Sequence, residues 1–294
     1  MLKQSFCHLP GVGQRSEHAL WASGIDSWSA LADPAAIKLA PRRRDTLKRQ
    51  IDESAHHLDA GHAGYFGNAL PSDQVWRLFP EFRDSIAYLD IETTGLSGMS
   101  DQITTIALYD GRQVRHYVNG QNLDDFPRDV QDYKVIVSYN GKCFDVPFMR
   151  CYFGIQLDQA HIDLRYVLKS LGYRGGLKGC ERQLGMSRGE LDGVDGFFAV
   201  LLWHEYQRHG DVRALETLLA YNIQDVLNLE TLMVKAYNAK LNDTPFGGRL
   251  TLPAPPVMSN PFQADAATIA RLTGQPNWDY GRTIAFGSIS PSFP

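Results

Sequence analysis

Four carboxylates and one tyrosine stand at three places in the chain where their side chains could act together on a metal ion. They are Asp90, Glu92, Asp145, Tyr221 and Asp225. Carboxylate oxygens without a His or Cys cluster are hard ligands, which suit Mg²⁺ or Mn²⁺ better than zinc. A buried group of like charges needs a cation or a proton. If the fold gathers the four acids, we therefore expect a site for divalent ions.

Asp90 and Glu92 follow an apolar run at residues 86–89, which is typical of a strand buried on both faces. Side chains two residues apart in a strand point to the same side, so both acids share one face. The alternative is a strand that simply runs out into a polar turn. For an isolated Asp-x-Glu pattern this alternative is favoured, because short patterns often mislead.

Asp145 comes after a second apolar run, at residues 135–139, and after a glycine turn that leads into a predicted helix. In the first turn of a helix the dipole stabilises a negative charge. A helix-capping acid is therefore an equal alternative to a metal ligand at this position.

Tyr221 and Asp225 lie four residues apart on a helix predicted over residues 212–238, and so on one face of it. Asp225 interrupts a stripe of apolar residues that includes Leu218 and Leu229. An acid aimed at the core needs a partner. In isolation, the favoured partner is Tyr221 itself, in a buried hydrogen-bonded pair.

The elements that must position these residues indicate a mixed α/β sheet flanked by helices, preceded by a small helical region. Short apolar or β-branched runs bounded by turn residues predict strands at residues 86–89, 103–108, 114–118 and 135–139. Helices are predicted at residues 144–153, 197–208 and 212–238. Strands that first follow one another and then alternate with helices favour this fold class.

Three regions are predicted: a helical region at residues 1–80, the α/β domain at 81–242, and an irregular Pro/Gly-rich tail at 243–294. Residues 9–13 with 16–24 look like the hairpin and second helix of a helix-hairpin-helix motif, whose backbone N–H groups bind DNA phosphates. Only eight residues precede the hairpin, so a packing role is an equal alternative. A basic cluster, comprising Lys38, Arg42, Arg43, Arg44, Lys48 and Arg49, is either a solvated helix face or a phosphate contact.

Composition excludes several classes of protein. The net charge of −4 for 294 residues argues against coating nucleic acid through bulk electrostatics, although a local site is compatible with it. No apolar run is long enough for a membrane span, and the start lacks the core of a secretory signal, so we expect a cytoplasmic protein. The cysteines, Cys7, Cys143, Cys151 and Cys180, form no Cys-x-x-Cys pair and suggest neither a zinc knuckle nor a disulfide framework.

The order of the three motifs resembles that of the DEDD (DnaQ-like) 3'-5' exonuclease superfamily, tyrosine subtype. Asp-x-Glu at 90–92 matches its first motif, Asn-x-x-x-Phe-Asp at 140–145 its second, and Tyr-x-x-x-Asp at 221–225 its third. The resemblance covers about residues 85–240. Within it, residues 193–203 and 210–229 look most like the bacterial YprB-like branch of ribonuclease-H-like proteins.

The resemblance implies a ribonuclease-H-like fold and a metal-dependent 3'-5' exonuclease, which releases nucleoside 5'-monophosphates from the free 3' end of DNA or RNA. Two Mg²⁺ or Mn²⁺ ions are implied, with Asp90 bridging them. Glu92 and Asp225 would complete one ion site and Asp145 the other, while Tyr221 would orient or help deprotonate the attacking water. The alternatives are a non-catalytic nucleic-acid-binding protein with an unused acidic site and a structure-specific endonuclease on the same fold.

Two further residues near the motifs receive weaker predictions. Lys178 could approach a phosphate, but an exposed lysine is the simpler interpretation. Asp163, in a segment that resembles a strand, is expected to be a structural acid rather than a ligand.

Overall fold

Within residues 1–32, 40–95 and 101–274, which the computed structural model describes, five strands form one mixed sheet. The strands are Ile86–Thr93 (β1), Ile103–Tyr109 (β2), Val114–Val118 (β3), Val135–Ser138 (β4) and Ala160–Asp163 (β5). Their order across the sheet is β3-β2-β1-β4-β5. β1 pairs antiparallel with β2 and parallel with β4, so it is the central strand.

Helices lie before, between and after the strands. In the described part of the chain they are Gln14–Ala22 (α1), Trp28–Ala32 (α2), Pro41–Asp59 (α3), Ala63–Ala69 (α4), Phe79–Phe82 (α5), Phe126–Asp129 (α6), Asp145–Phe153 (α7), Leu164–Ser170 (α8), Gly176–Gln183 (α9), Gly196–His209 (α10), Val212–Leu241 (α11) and Ala266–Thr273 (α12). The predicted fold class, a mixed α/β sheet flanked by helices with a small helical N-terminal region, is confirmed.

The central strand β1 contributes to a hydrophobic core on each face of the sheet. Ile86 and Tyr88 belong to the larger core, whereas Ala87, Leu89 and Ile91 belong to the smaller one. This alternation is the two-residue period of a strand. Asp90 and Glu92 lie two and four residues after Tyr88, so their side chains point to the same face of the sheet as Tyr88. This is the face of the larger core, where α11 packs.

Helix α11 lies across β1 and β2 and forms much of the larger core. Its N-cap residue is Asp211, whose carboxylate accepts hydrogen bonds from the N–H groups of Arg213 and Ala214. Such a cap satisfies backbone donors that the first helical turn leaves free. The apolar stripe predicted a helix over residues 212–238, and the structure extends it to Leu241.

A buried ion pair joins α1 to the end of the N-terminal helical region. Glu17 of α1 has no exposed surface and accepts two hydrogen bonds from Arg77, at 2.7 and 2.9 Å. The same carboxylate accepts the N–H groups of Phe6 and Cys7, which lead into the glycine hairpin. These contacts are consistent with a packing role for the hairpin, while phosphate binding there stays a prediction.

The segment from Asp243, expected to be irregular, contains helix α12. Asp265 caps this helix by accepting the N–H of Thr268 at 2.7 Å, and the Leu272 side chain is buried. Asn260, just before it, donates to the carbonyl of Ala220 on α11 at 2.7 Å. The sequence did not predict α12 because the surrounding prolines obscured the capping pattern that begins at Asp265. Residues 275–294 of the predicted tail and Lys38 of the basic cluster lie outside the described residues.

Candidate metal centre

Three of the predicted acids meet between β1 and α11. Asp90 and Glu92, near the end of β1, and Asp225, in the middle of α11, each offer one carboxylate oxygen, and these oxygens lie within 4.8 Å of one another. Glu92 and Asp225 are buried, and Asp90 is half-buried. A cluster of three carboxylates with oxygens this close is a suitable ligand set for a hard divalent cation.

Asp145 approaches the same strand from α7. Its Oδ1 accepts the N–H of Ile91 at 3.2 Å, and the residue is 5% exposed. The N-cap position of α7 is occupied by Phe144, so the Asp145 carboxylate connects α7 to β1 instead of capping the helix. The structure thus places Asp145 beside the residue between Asp90 and Glu92, although it is not one of the three acids with closely clustered oxygens.

Burial and mutual repulsion shift the ionisation of these acids. Loss of water contact, followed by the charge of Asp225, raises the pKa of Asp90 and Glu92 well above their usual range. Burial raises the pKa of Asp145 to about 7, against the opposing effect of its backbone hydrogen bonds. Near neutral pH the metal-free cluster therefore retains protons. A divalent cation would replace those protons, so the donor set fits Mg²⁺ or Mn²⁺.

Asn222 orients Asp90, a contact that the sequence did not predict. Its Nδ2 donates to Asp90 Oδ2 at 2.7 Å, and its Oδ1 accepts from the Thr105 hydroxyl of β2 at 3.0 Å. Asn222 is fully buried. The available sequence signal was a polar residue within a strongly apolar helix, next to Tyr221. The hydrogen-bonded chain Thr105–Asn222–Asp90 links β2, α11 and β1 and holds the Asp90 carboxylate in place.

We expect Thr105→Val to lower the free energy of unfolding by about 1–3 kcal/mol, because it leaves the buried Asn222 carbonyl without its donor. The neighbouring Thr104 provides a matched control. Thr104 is also buried, and its hydroxyl has no hydrogen-bond partner among the described residues. Thr104→Val should therefore be neutral or stabilising. Urea unfolding of both variants measures the difference, and equal losses would contradict this role of Asn222.

Tyr221 lies in the site with its hydroxyl held by Lys178. The Lys178 ammonium donates to the Tyr221 hydroxyl at 3.0 Å and to the carbonyl of Val194. It also lies 4.5 Å from the centre of the Tyr221 ring. Lys178 is half-buried, and this burial lowers its pKa. The interpretation of Lys178 as an exposed lysine is therefore wrong, because α9 turns this side chain into the site.

Arg188 is the second cation in the site, and sequence reasoning missed it. Its guanidinium contacts Asp225 Oδ1 and donates from Nη2 to Glu181 at 2.7 Å, and the residue is 8% exposed. A single arginine in a loop carries no periodic pattern that indicates burial. The Tyr–Asp pair proposed as an alternative for α11 is also wrong: Tyr221 is bonded to Lys178, and Asp225 is paired with Arg188.

The acids open onto a cleft of about 700 Å³. Its lining includes Asp90, Glu92, Tyr221 and Asp225. It also includes a group of aromatic, polar and basic residues that we call the basic wall, among them Tyr139, Asn140, Arg165, Lys169, Tyr173 and Arg174. The three cations of this wall are exposed, and none has a carboxylate within 4.0 Å in the described ranges. Positive charge without a carboxylate partner, in the same cleft as a carboxylate cluster, suits a phosphate-bearing substrate.

Asp163 shapes the edge of this cleft. Its carboxylate accepts the N–H groups of Asn140 at 2.8 Å and Lys142 at 3.1 Å. Asn140 has a φ of 70°, a conformation that asparagine adopts more readily than most residues. Asp163 therefore holds the loop before Asp145 and has the structural role expected of it.

A sheet with acids at the end of its central strand and basic residues in the same cleft is suited to the hydrolysis of nucleic acid. A family model described as the RNase_H superfamily matches residues 87–237, over half of the chain. The chain belongs to the ribonuclease H superfamily. No curated protein and no solved structure matched it.

Superfamily membership and the carboxylate cluster together indicate a nuclease that acts on nucleic acid with the help of a divalent metal.

Among the helices of the described residues, none combines the length and apolar character required to cross a membrane.

Proposed function

We propose that the protein is a 3'-5' exonuclease of the DEDD superfamily, tyrosine subtype, in its YprB-like branch. It would hydrolyse phosphodiester bonds of nucleic acid and release nucleoside 5'-monophosphates. The observation that carries the proposal is that the buried Tyr221 lines the same cleft as Asp90, Glu92 and Asp225. Residues of the first and third motifs, 129 positions apart or more along the chain, thus line one cleft, in the order that the resemblance requires.

The resemblance implies two divalent ions, Mg²⁺ or Mn²⁺, and the four acids would supply their ligands. Asp90, Glu92 and Asp225 would hold one ion, and Asp90 with Asp145 the other. Ions at these positions would stabilise the negative charge on the attacking and leaving oxygens of a phosphodiester. Asn222 would keep the bridging carboxylate of Asp90 in place, since it donates to one of its oxygens.

Tyr221 is suited to orienting the attacking water. Burial and the charges of Asp225 and Glu92 raise the pKa of Tyr221 well above its usual range, so its hydroxyl keeps its proton. The hydroxyl oxygen already accepts a hydrogen bond from Lys178. Its proton is therefore available for an acceptor in the cleft, which we take to be the water. Of the two roles that the resemblance implied, orientation is better supported than deprotonation.

The basic wall of the cleft would bind the nucleic acid. Arg165, Lys169 and Arg174 can contact successive phosphates, and Tyr139 and Tyr173 offer rings on which bases stack. Contacts to phosphates and to the faces of bases can be made with both DNA and RNA. The terminal nucleotide would lie between this wall and the acids.

A test of end polarity distinguishes this proposal from its alternatives. On strands labelled at the 3' end, in Mg²⁺ or Mn²⁺, we expect a labelled mononucleotide as the first product. Blocking the 3'-hydroxyl should slow its release by about tenfold or more, since a site that closes on a terminal nucleotide positions the reacting bond through it. Circular single strands should resist cleavage.

Each alternative predicts a different result in the same assay. Rapid cutting of circles with internal fragments as first products would support a structure-specific endonuclease. Binding of the strands without any cleavage, in either metal, would support a non-catalytic protein with an unused acidic site.

A further inference from the structure

Arg188 places a fixed positive charge on a proposed metal ligand. The guanidinium contacts Asp225 Oδ1, so one oxygen of that carboxylate already has a cationic partner. The lining of the cleft includes Asp225 but, among the described residues, not Arg188. Arg188 therefore acts on the site through Asp225 and does not itself face a substrate in the cleft.

The position of Arg188 is fixed by a buried polar chain. Glu181 of α9 is 1% exposed and accepts both from Arg188 Nη2, at 2.7 Å, and from Asn228 Nδ2, at 2.8 Å. Asn228 in turn accepts from Gln224 at 2.9 Å. Both of these residues flank Asp225 on α11. The arginine is thus held from two helices, unlike a surface side chain that pairs by chance.

A buried ion pair is a weak explanation for stability alone. Removing two charges from water is costly, and apolar residues of similar volume often give an equally stable core. The charge of Arg188 does, however, change the electrostatics of the acid cluster. Two divalent ions would balance the four acids, and Glu181 would balance one of the two cations Arg188 and Lys178, which leaves a net positive charge in the site. Such a site binds metal less tightly when alone and gains from the arrival of an anionic phosphate.

We propose that Arg188 is a positioning residue that competes with metal for Asp225 and thereby sets the metal affinity of the site. It holds Asp225 by Oδ1 and leaves the other oxygen for an ion. Its charge opposes the ion, so full metal loading is coupled to the binding of the nucleic-acid phosphate. This inference depends on the proposed function.

Mn²⁺ binding in the absence of nucleic acid tests the inference without measuring activity. Calorimetric titrations would compare the wild type, Glu181→Gln and the double variant Glu181→Gln/Arg188→Gln. Glu181→Gln removes the compensating anion and leaves the arginine on Asp225, so binding should weaken by about threefold or more. The double variant is neutral overall but loses the nearer positive charge, so binding should tighten by about tenfold. Melting temperatures identify which variants are folded.

The opposite signs separate this role from a purely structural one. Affinities that are unchanged, or that shift in the same direction in both variants, would overturn the inference. If the double variant does not fold, the Mn²⁺ affinity of Glu181→Gln decides alone. An affinity equal to that of the wild type, or tighter, overturns the inference. A weaker affinity supports it. A wild type that binds no Mn²⁺ would overturn the proposed function as well, whereas failure in the variants alone would leave that function intact.

Discussion

Replacing Asp225 with Asn is expected to lower turnover by about 10³-fold or more and to weaken Mn²⁺ binding. The contribution of a bound metal to transition-state stabilisation is worth several kcal/mol, and each 1.4 kcal/mol is tenfold in rate. Asparagine keeps the shape of the side chain but removes the charge that pairs with Arg188 and that would hold the proposed ion. Glu181 still pairs with Arg188, so we expect the variant to fold.

Tyr221→Phe, one helical turn away, should give a different pattern of effects. The ring that packs on α11 remains and only the hydroxyl is lost, so Mn²⁺ binding should be preserved. Turnover should fall by ~10²-fold to 10⁴-fold, the usual contribution of a positioned proton-transfer group. Tyr237→Phe is the matched control: Tyr237 is also buried on α11, about four turns further along, and packs against Trp76. Its turnover should equal that of the wild type.

Turnover, Mn²⁺ affinity and melting temperature of the three variants decide the assignment. If Tyr221 only completes the core, its phenylalanine variant would lose stability and keep its activity per folded molecule. Equal turnover in Asp225→Asn and the wild type would remove Asp225 from the site.

The second large effect is expected from removing the metal. Cleavage should become undetectable in EDTA and return with excess Mg²⁺ or Mn²⁺, because the attacking and leaving oxygens would lose the charge stabilisation that the proposed ions supply. Undiminished cleavage in chelator would be incompatible with the metal centre.

Metal removal should also make stability depend on pH. The pKa of Asp145 rises to about 7 in the folded protein, from an ordinary value of 3.8, and the pKa values of Asp90 and Glu92 also rise. At a pH between the ordinary and the raised pKa of an acid, the folded state binds more protons than the unfolded state. The free energy of unfolding in EDTA should therefore fall as pH rises from 4 to 7. Bound Mn²⁺ should reduce that loss, since it compensates the ionised acids. A flat melting temperature in EDTA across this range would contradict the coupling.

The sequence predicted the elements of the sheet because each strand carries its own local signal. The four predicted strands correspond to β1 to β4, and a segment compared to a strand, around His161, is β5. The motif order likewise predicted that Asp90, Glu92 and Asp225 would meet, and their carboxylate oxygens do cluster. The hydrophobic period of a strand or helix and the spacing within a motif are properties of residues close together in sequence. A single sequence is therefore enough to reveal them.

Lys178, Arg188 and Asn222 were not predicted as parts of the site because their roles depend on distant partners. Whether a lysine is exposed or bonded to Tyr221 depends on how α9 lies against α11, and no local pattern encodes that packing. The same holds for Arg188, whose partners Glu181 and Asp225 are on two different helices. The helix in the C-terminal segment was missed for a different reason, since short helices between prolines give weak periodicity.

Helix α11 has a consequence for how this protein can change over evolutionary time. It supplies Tyr221, Asn222 and Asp225 from one uninterrupted rod, in which each added residue turns the following side chains by about 100°. A single insertion upstream of Asp225 within the helix would therefore point it away from β1, and such length changes are forbidden. The loop between α8 and α9, which contributes Tyr173 and Arg174 to the cleft, lies outside this rod. Changes in that loop that leave Lys178 and Glu181 of α9 in place can alter which nucleic acids enter without moving the acids of β1 and α11, so substrate range can change separately from the chemistry.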